Sequence, residues 1–212
     1  MRILFMGDSI TDMQRQKDVR IGAIDSYGYN YTFFIEGELA TKFPKENEII
    51  TRGISGNRVV DIYARIKGDC WNHNPDLVSI LIGVNDLWHE IVANTGVELD
   101  RFERVYDMYL TDTKKALPNV KFMILEPFVL KGKDTEADFE KFALLKEYAK
   151  IVKKLAEKHN AVFVPLQDVF DKALERAEGS HWLSDGVHPT VAGAKLISER
   201  WLEKFYSEIL GK

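Results

Sequence analysis

The sequence predicts an α/β protein: a five-stranded parallel sheet with helices on both faces. Two observations carry that prediction. Short apolar runs of strand length recur along the chain, each closed by glycine or polar turn residues, and stretches with a helical apolar period separate them. Strands that alternate with helices give a parallel sheet wrapped on both sides. A third observation bounds the architecture. No linker rich in Pro, Gly or Ser, no repeat and no low-complexity segment interrupts the alternation, so residues 1–212 are read as a single domain.

Residues 3–6, Ile-Leu-Phe-Met, form the first strand, apolar on both faces as a central parallel strand must be, and Gly7 ends it. Residues 12–27 are polar and unpatterned and are expected to loop over the carboxyl edge of the sheet. Residues 29–43 read as a helix, and residues 48–52 as the second strand, closed by Gly53. Residues 77–82, β-branched and apolar, give the clearest central strand, closed by Gly83. Residues 100–117 read as a helix opened by a capping box of Asp100 and Glu103 and stopped by Pro118. Residues 120–125 are the fourth strand, and 131–136 a second edge loop. One helix is expected over 138–158, with Phe139, Phe142, Leu145, Tyr148, Ala149, Val152 and Leu155 on its apolar face. Residues 161–164 are the fifth strand. The last helix follows Pro189 and turns Ile197, Trp201, Phe205 and Ile209 inward.

Composition narrows the partners. A net charge of −4 argues against a general nucleic-acid or anionic-membrane binder, which presents a basic face. Cys70 is the only cysteine, so no intrachain disulfide supports the fold, and it is read as a small buried or half-buried filler. The N-terminus lacks the basic and apolar regions of a signal peptide, and no apolar run approaches membrane-spanning length. A soluble, cytoplasmic protein is expected, with no nucleic-acid or membrane partner. Oligomeric state stays open, a homo-oligomer included.

Four segments end at one edge of the predicted sheet. Gly7-Asp8-Ser9 follows the first strand, Gly53-Ile54-Ser55-Gly56-Asn57 the second, and Gly83-Val84-Asn85-Asp86 the third, while Asp185-Gly186-Val187-His188 precedes the last helix. These are the parts of acyl transfer. A serine hydroxyl needs an imidazole to take its proton, and the imidazole needs an acid to orient its other nitrogen. Ser9, His188 and Asp185 fill those roles. The N–H groups of Ser9 and Gly56 and the amide of Asn85 supply donors for a tetrahedral oxyanion. Singly, each has an ordinary reading: Ser9 as a turn or N-cap serine, Asn85-Asp86 as a helix cap, Asp185 and His188 as a surface pair. Their joint placement at one edge favours the catalytic reading.

On these four blocks, in this order, the chain resembles the SGNH hydrolases, also called the GDSL esterase/lipase family; Ile10 stands where the family usually has Leu. The resemblance implies a flavodoxin-like three-layer α/β/α sandwich, Ser9 as nucleophile, His188 as base, Asp185 as orienting acid, and Ser9, Gly56 and Asn85 as the oxyanion hole. No metal or organic cofactor is implied. Gly53 to Asn57 and Asn85-Asp86-Leu87-Trp88 look like the bacterial acetyl-xylooligosaccharide esterase branch, which points to an acetyl ester on an oligosaccharide as substrate. Trp88 is then a sugar platform or a core or lid residue, and Trp182 a cleft wall or packing. Asp8 is a candidate to touch substrate or, before that, to fix the Ser9 loop. His73, His89, His159 and His181 are read as surface or structural. Activity is expected to fall on the acid side near the ordinary imidazole value of about 6.5.

Other classes compete. A lysophospholipase or thioesterase of the same family would take longer acyl chains. Asp8, Thr11 and Asp12 faintly resemble a metal-dependent phosphohydrolase, with Asp86, Asp185 and His188 recast as metal ligands. A non-catalytic α/β binding module is a third class, although neither a Gly-x-x-x-x-Gly-Lys-Ser/Thr loop nor a Gly-x-Gly-x-x-Gly turn is present.

Overall fold

Five strands, β1 (Arg2–Gly7), β2 (Glu48–Gly53), β3 (Leu77–Leu81), β4 (Lys121–Leu125) and β5 (Val162–Val164), form one parallel sheet in the order β2-β1-β3-β4-β5. The structure, a computed structural model, describes residues 1–212. Each strand begins and ends within one residue of its predicted limits. The agreement has a physical basis. A strand buried on both faces must be apolar at every position, and Ile3 to Met6 are fully buried.

Two helix layers complete the sandwich. On one face Phe5 packs edge-on against Tyr31, with ring centroids 5.8 Å apart, and against Trp201 at 5.3 Å. Helices Tyr31–Lys42 and Val191–Lys204 therefore cover this face and touch each other. Trp201 donates its indole N–H to Ser79 Oγ at 3.0 Å, so the last helix is pinned to β3 by a buried polar contact. On the other face, helices Val59–Ala64, Leu99–Ala116 and Leu145–His159 pack together, with Phe102 and Tyr148 in edge contact at 5.0 Å. The buried apolar side chains form one continuous cluster. No helix is long and apolar enough to cross a membrane.

Two expectations about helices need correction. The Asp100–Glu103 capping box does not form. The chain turns helical at Leu99, where Phe102 N–H donates to Glu98 O at 2.7 Å, so Asp100 already lies inside the first turn and pairs with Arg104 at 2.6 Å. Glu103 instead reaches Lys154 on the neighbouring helix, also at 2.6 Å. The single helix expected over 138–158 is broken into a 3-10 turn Glu136–Asp138, a short helix Phe139–Phe142 and the helix Leu145–His159. At the break, the N–H groups of Ala143 and Leu144 bond only three residues back, to Glu140 and Lys141. This rotation points Phe142 at Trp88, 6.2 Å away, and leaves Leu144 43% exposed. The apolar face is kept, with Phe142, Leu145, Tyr148, Val152 and Leu155 buried, and only the continuity of the helix differs from expectation.

The strand order locates the site. It reverses between β1 and β3, and in open α/β sheets that switch point leaves a crevice outside the carboxyl ends of the strands. Ser9 leaves β1 and Asn85 leaves β3 at this crevice.

The pinning of the last helix is open to test. Replacing Trp201 with alanine is expected to destabilise the protein by about 3–5 kcal/mol, because it opens a core cavity and strands the buried Ser79 hydroxyl. A urea titration checks this, the midpoint falling with an unchanged slope.

Candidate active site

The site begins with a turn too tight for most residues. A Cβ on Gly7 would lie 2.4 Å from Thr11 Oγ1 and 2.7 Å from Leu81 O, so only glycine lets β1 pass directly into the short helix Ser9–Asp12. Asp8 caps that helix, its Oδ1 accepting the Ile10 N–H at 2.9 Å. Ser9, half-buried at the first helical position, holds its Oγ 2.8 Å from His188 Nε2.

The acid and the base come from one turn. Asp185 Oδ1 accepts the N–H groups of both Val187 and His188 at 2.8 Å, and Oδ2 meets His188 Nδ1 at 2.5 Å. The segment 130–136 braces this turn, with Leu130 N–H on Gly186 O and Asp134 N–H on Asp185 O, both at 2.9 Å. With Nδ1 committed to the carboxylate, the Nε2 lone pair faces the serine. Burial alone would raise Asp185, but the imidazole and the two backbone N–H groups outweigh it and hold the carboxyl at about 2. The same hydrogen bond raises His188 above the ordinary imidazole value, against the opposing effect of burial, and the charges of Asp185, Asp8 and Asp134 add to it. The expected acid limb near 6.5 is therefore displaced upward, by a carboxylate that sequence spacing located but whose contact it could not measure.

The strands on either side of β1 carry the remaining donors. After β2, Gly56 adopts a φ of 80°, a conformation suited to glycine. Neither its N–H nor that of Ser9 is taken by a protein acceptor. After β3, the Asn85 amide gives one N–H to Asn57 O at 3.1 Å and keeps the other. The loop after β2 is held from below by Asp12, whose Oδ2 accepts Ser55 N–H at 3.0 Å and Ser55 Oγ–H at 2.9 Å, and by Arg15, which donates to Gly53 O. Both residues fall within the polar stretch read as loop, and no local sequence signal separates them from solvated charges.

The three residues placed around the substrate part company. Trp88 stands half-buried beside His188, the ring centroids 6.1 Å apart. Asp8 is fully buried, so it reaches no substrate; its Oδ1 caps the helix, while its Oδ2 is buried with no hydrogen-bond partner. Trp182 is only 7% exposed, donates its N–H to Ala177 O and lies under the Arg176 guanidinium, which makes it packing and not a cleft wall. The recast metal set does not assemble. Asp86 is buried with both oxygens on the Val59 N–H, and no three His, Cys, Asp or Glu side chains lie together as ligands. His159 is nearly buried and bonds Asp107 at 2.6 Å, and His73 accepts from Arg52 Nε at 3.1 Å; both are structural.

Known proteins share this fold. Residues 5–196 match the GDSL-like lipase/acylhydrolase family. An acetylxylan esterase from Geobacillus stearothermophilus is 32% identical over 208 residues, which span 96% of this chain and 93% of that protein. Its crystal structure superposes with a TM-score of 0.85 at 31% identity, covering 96% of this chain and 93% of the other. A Parabacteroides merdae structure described as a GDSL-like lipase superposes with a TM-score of 0.92 at 37% identity, covering 96% and 94%. Three solved variants of the Geobacillus esterase described as catalytic mutants replace a serine, an aspartate and a histidine with alanine, the last two three positions apart.

The raised His188 sets a measurable pH dependence. Below its pKa the imidazole is protonated and cannot accept the serine proton, so kcat/KM is expected to fall as pH drops, with a midpoint above the ordinary imidazole value. Asp185→Asn is expected to move that midpoint down and to lower kcat by about 10²–10⁴-fold, as read from a pH–rate profile with an aryl acetate.

Proposed function

The chain belongs to the GDSL-like lipase/acylhydrolase family and is a serine carboxylic ester hydrolase, and we propose that it removes short acyl groups, acetyl above all, from sugar hydroxyls. The observation that carries the substrate reading is the aromatic wall beside the base. Trp88 presents its ring 6.1 Å from the His188 imidazole, with Phe142 behind it at 6.2 Å, and such a face suits the C–H surface of a pyranose. The likeness to an acetylxylan esterase supports the same substrate class.

The chemistry follows from the distances. Ser9 Oγ attacks the ester carbonyl carbon while its proton passes to His188 Nε2, already within hydrogen-bond reach. The carbonyl oxygen becomes the oxyanion and takes the free N–H groups of Ser9, Gly56 and Asn85, fixed before the substrate arrives. Collapse expels the sugar oxygen, which takes the proton from Nε2 and leaves an acyl-Ser9 ester. Water then gives its proton to Nε2 and attacks the acyl carbon, and the second tetrahedral species releases acetate as Ser9 recovers the proton. Asp185 stays ionised throughout, and its hydrogen bond stabilises the transient imidazolium.

One feature favours a second reading, longer acyl chains. Behind Phe142 lies a largely apolar cavity of about 440 Å³, lined by Pro127, Leu130, Phe139, Leu145 and Leu174 among others.

Esters of increasing acyl length, assayed beside acetylated xylo-oligosaccharides, separate the two. Acetyl is expected to be preferred, and a preference beyond about eight carbons supports the second reading instead. Trp88→Ala is expected to raise KM for the acetylated oligosaccharide while leaving kcat/KM for an aryl acetate little changed, and Ser9→Ala to abolish turnover of both.

A further inference from the structure

We propose that Arg65 is a positioning residue: its guanidinium clamps the oxyanion loop to the end of the nucleophile strand. The inference rests on the assignment of Gly56 and Asn85 as oxyanion donors and adds a group outside the motifs of that site.

Arg65 follows the helix Val59–Ala64. Helical side chains tilt toward the helix N-terminus, which sends this one back toward the loop it came from. There it makes three separate contacts. Nε donates to Asn57 Oδ1 at 2.8 Å, Nη2 to Gly7 O at 3.1 Å and Nη1 to Asp69 Oδ2 at 2.7 Å. Gly7 is the last residue of β1, two before Ser9, and Asn57 directly follows Gly56. One rigid planar group therefore spans the nucleophile strand and the oxyanion loop. An ammonium on a flexible stem offers no such fork.

The clamp extends to the third donor. Asn57 O accepts the Asn85 amide at 3.1 Å, and Asp86, the next residue, anchors the N-terminus of the arginine's own helix through Val59 N–H at 2.9 Å. Gly7 O also accepts the Ile54 N–H at 3.1 Å, so the loop is tied to β1 near both of its ends. The Arg65 side chain is only 16% exposed, which keeps water from competing for these bonds. Its hydrogen-bond partners are Asn57, Asp69 and Gly7, none of them a reacting group, so its effect passes through Asn57 and Gly7. A donor displaced by about 1 Å costs on the order of 10²-fold in rate.

The test compares Arg65→Gln, Arg65→Lys, Asn57→Ala and the Arg65→Gln/Asn57→Ala pair on an aryl acetate, with Asn85→Ala as the reference. Arg65→Gln and Asn57→Ala are each expected to lower kcat by about 10–10²-fold with KM little changed. Affinity for a boronic acid that mimics the tetrahedral intermediate is expected to fall in parallel. The double variant is expected to lose no more than Arg65→Gln alone, since the Arg65–Asn57 bond is already broken there. Arg65→Lys is expected to restore little. Should Arg65→Gln fold poorly by circular dichroism, Asn57→Ala carries the same comparison alone. Wild-type kcat and boronate affinity in Arg65→Gln and Asn57→Ala, or full rescue by lysine, would overturn the clamp. If Asn85→Ala loses about 10²–10³-fold while those variants stay silent, the clamp alone fails; if Asn85→Ala is also silent, the oxyanion assignment beneath it fails.

Discussion

The whole site depends on one hydrogen bond, 2.8 Å long, between Ser9 Oγ and His188 Nε2, residues 179 positions apart. Each partner sits at the end of a buried element, and that is what makes the bond durable. Ser9 rides on β1, the strand paired on both sides and fully buried from Ile3 to Met6. His188 precedes a helix locked to β3 by Trp201 and Ser79. The entropy of bringing the two ends of the chain together is offset by burying the core, so the catalytic contact itself need contribute little to folding.

Three carboxyl groups around this bond show how burial and hydrogen bonding divide the work. Asp185 accepts three hydrogen bonds, and these overcome its burial and hold it near 2, fully ionised beside the base. Asp86 and Asp8 are buried more completely. Burial pushes them up to about 8 and about 7, the Ile10 N–H and the His188 charge opposing it for Asp8. A full negative charge is thereby kept beside the imidazole and weakened at the two more deeply buried carboxyls. Environments that push like groups apart in this way assign their roles.

Much of this was legible in the residues themselves. Parallel strands are read easily because burial on both faces forces unbroken apolar runs, and Gly7, Gly53 and Gly83 mark their ends. The placement of Ser9, Gly56, Asn85, Asp185 and His188 was legible because each stands at a strand end or a helix start on the same edge. The contacts that need distant chain were not. The helix is broken between Phe142 and Leu145, where the apolar period continues and gives no warning. Asp8 and Trp182 sit beside site residues in sequence, yet one is sealed below the helix and the other packs under Arg176. Arg65 and Arg15 carry charges that, without coordinates, look like solvated surface, and only the folded loop after β2 shows what they hold.

The central claim is that the Ser9 hydroxyl is activated by the imidazole of His188. The most direct measurement is mass spectrometry of the intact protein and its peptides after exposure to a serine-directed fluorophosphonate. A single adduct is expected on the peptide carrying Ser9, forming fast in the native protein and very slowly in His188→Ala. An adduct on another residue, or equal labelling rates with and without the imidazole, would contradict the account.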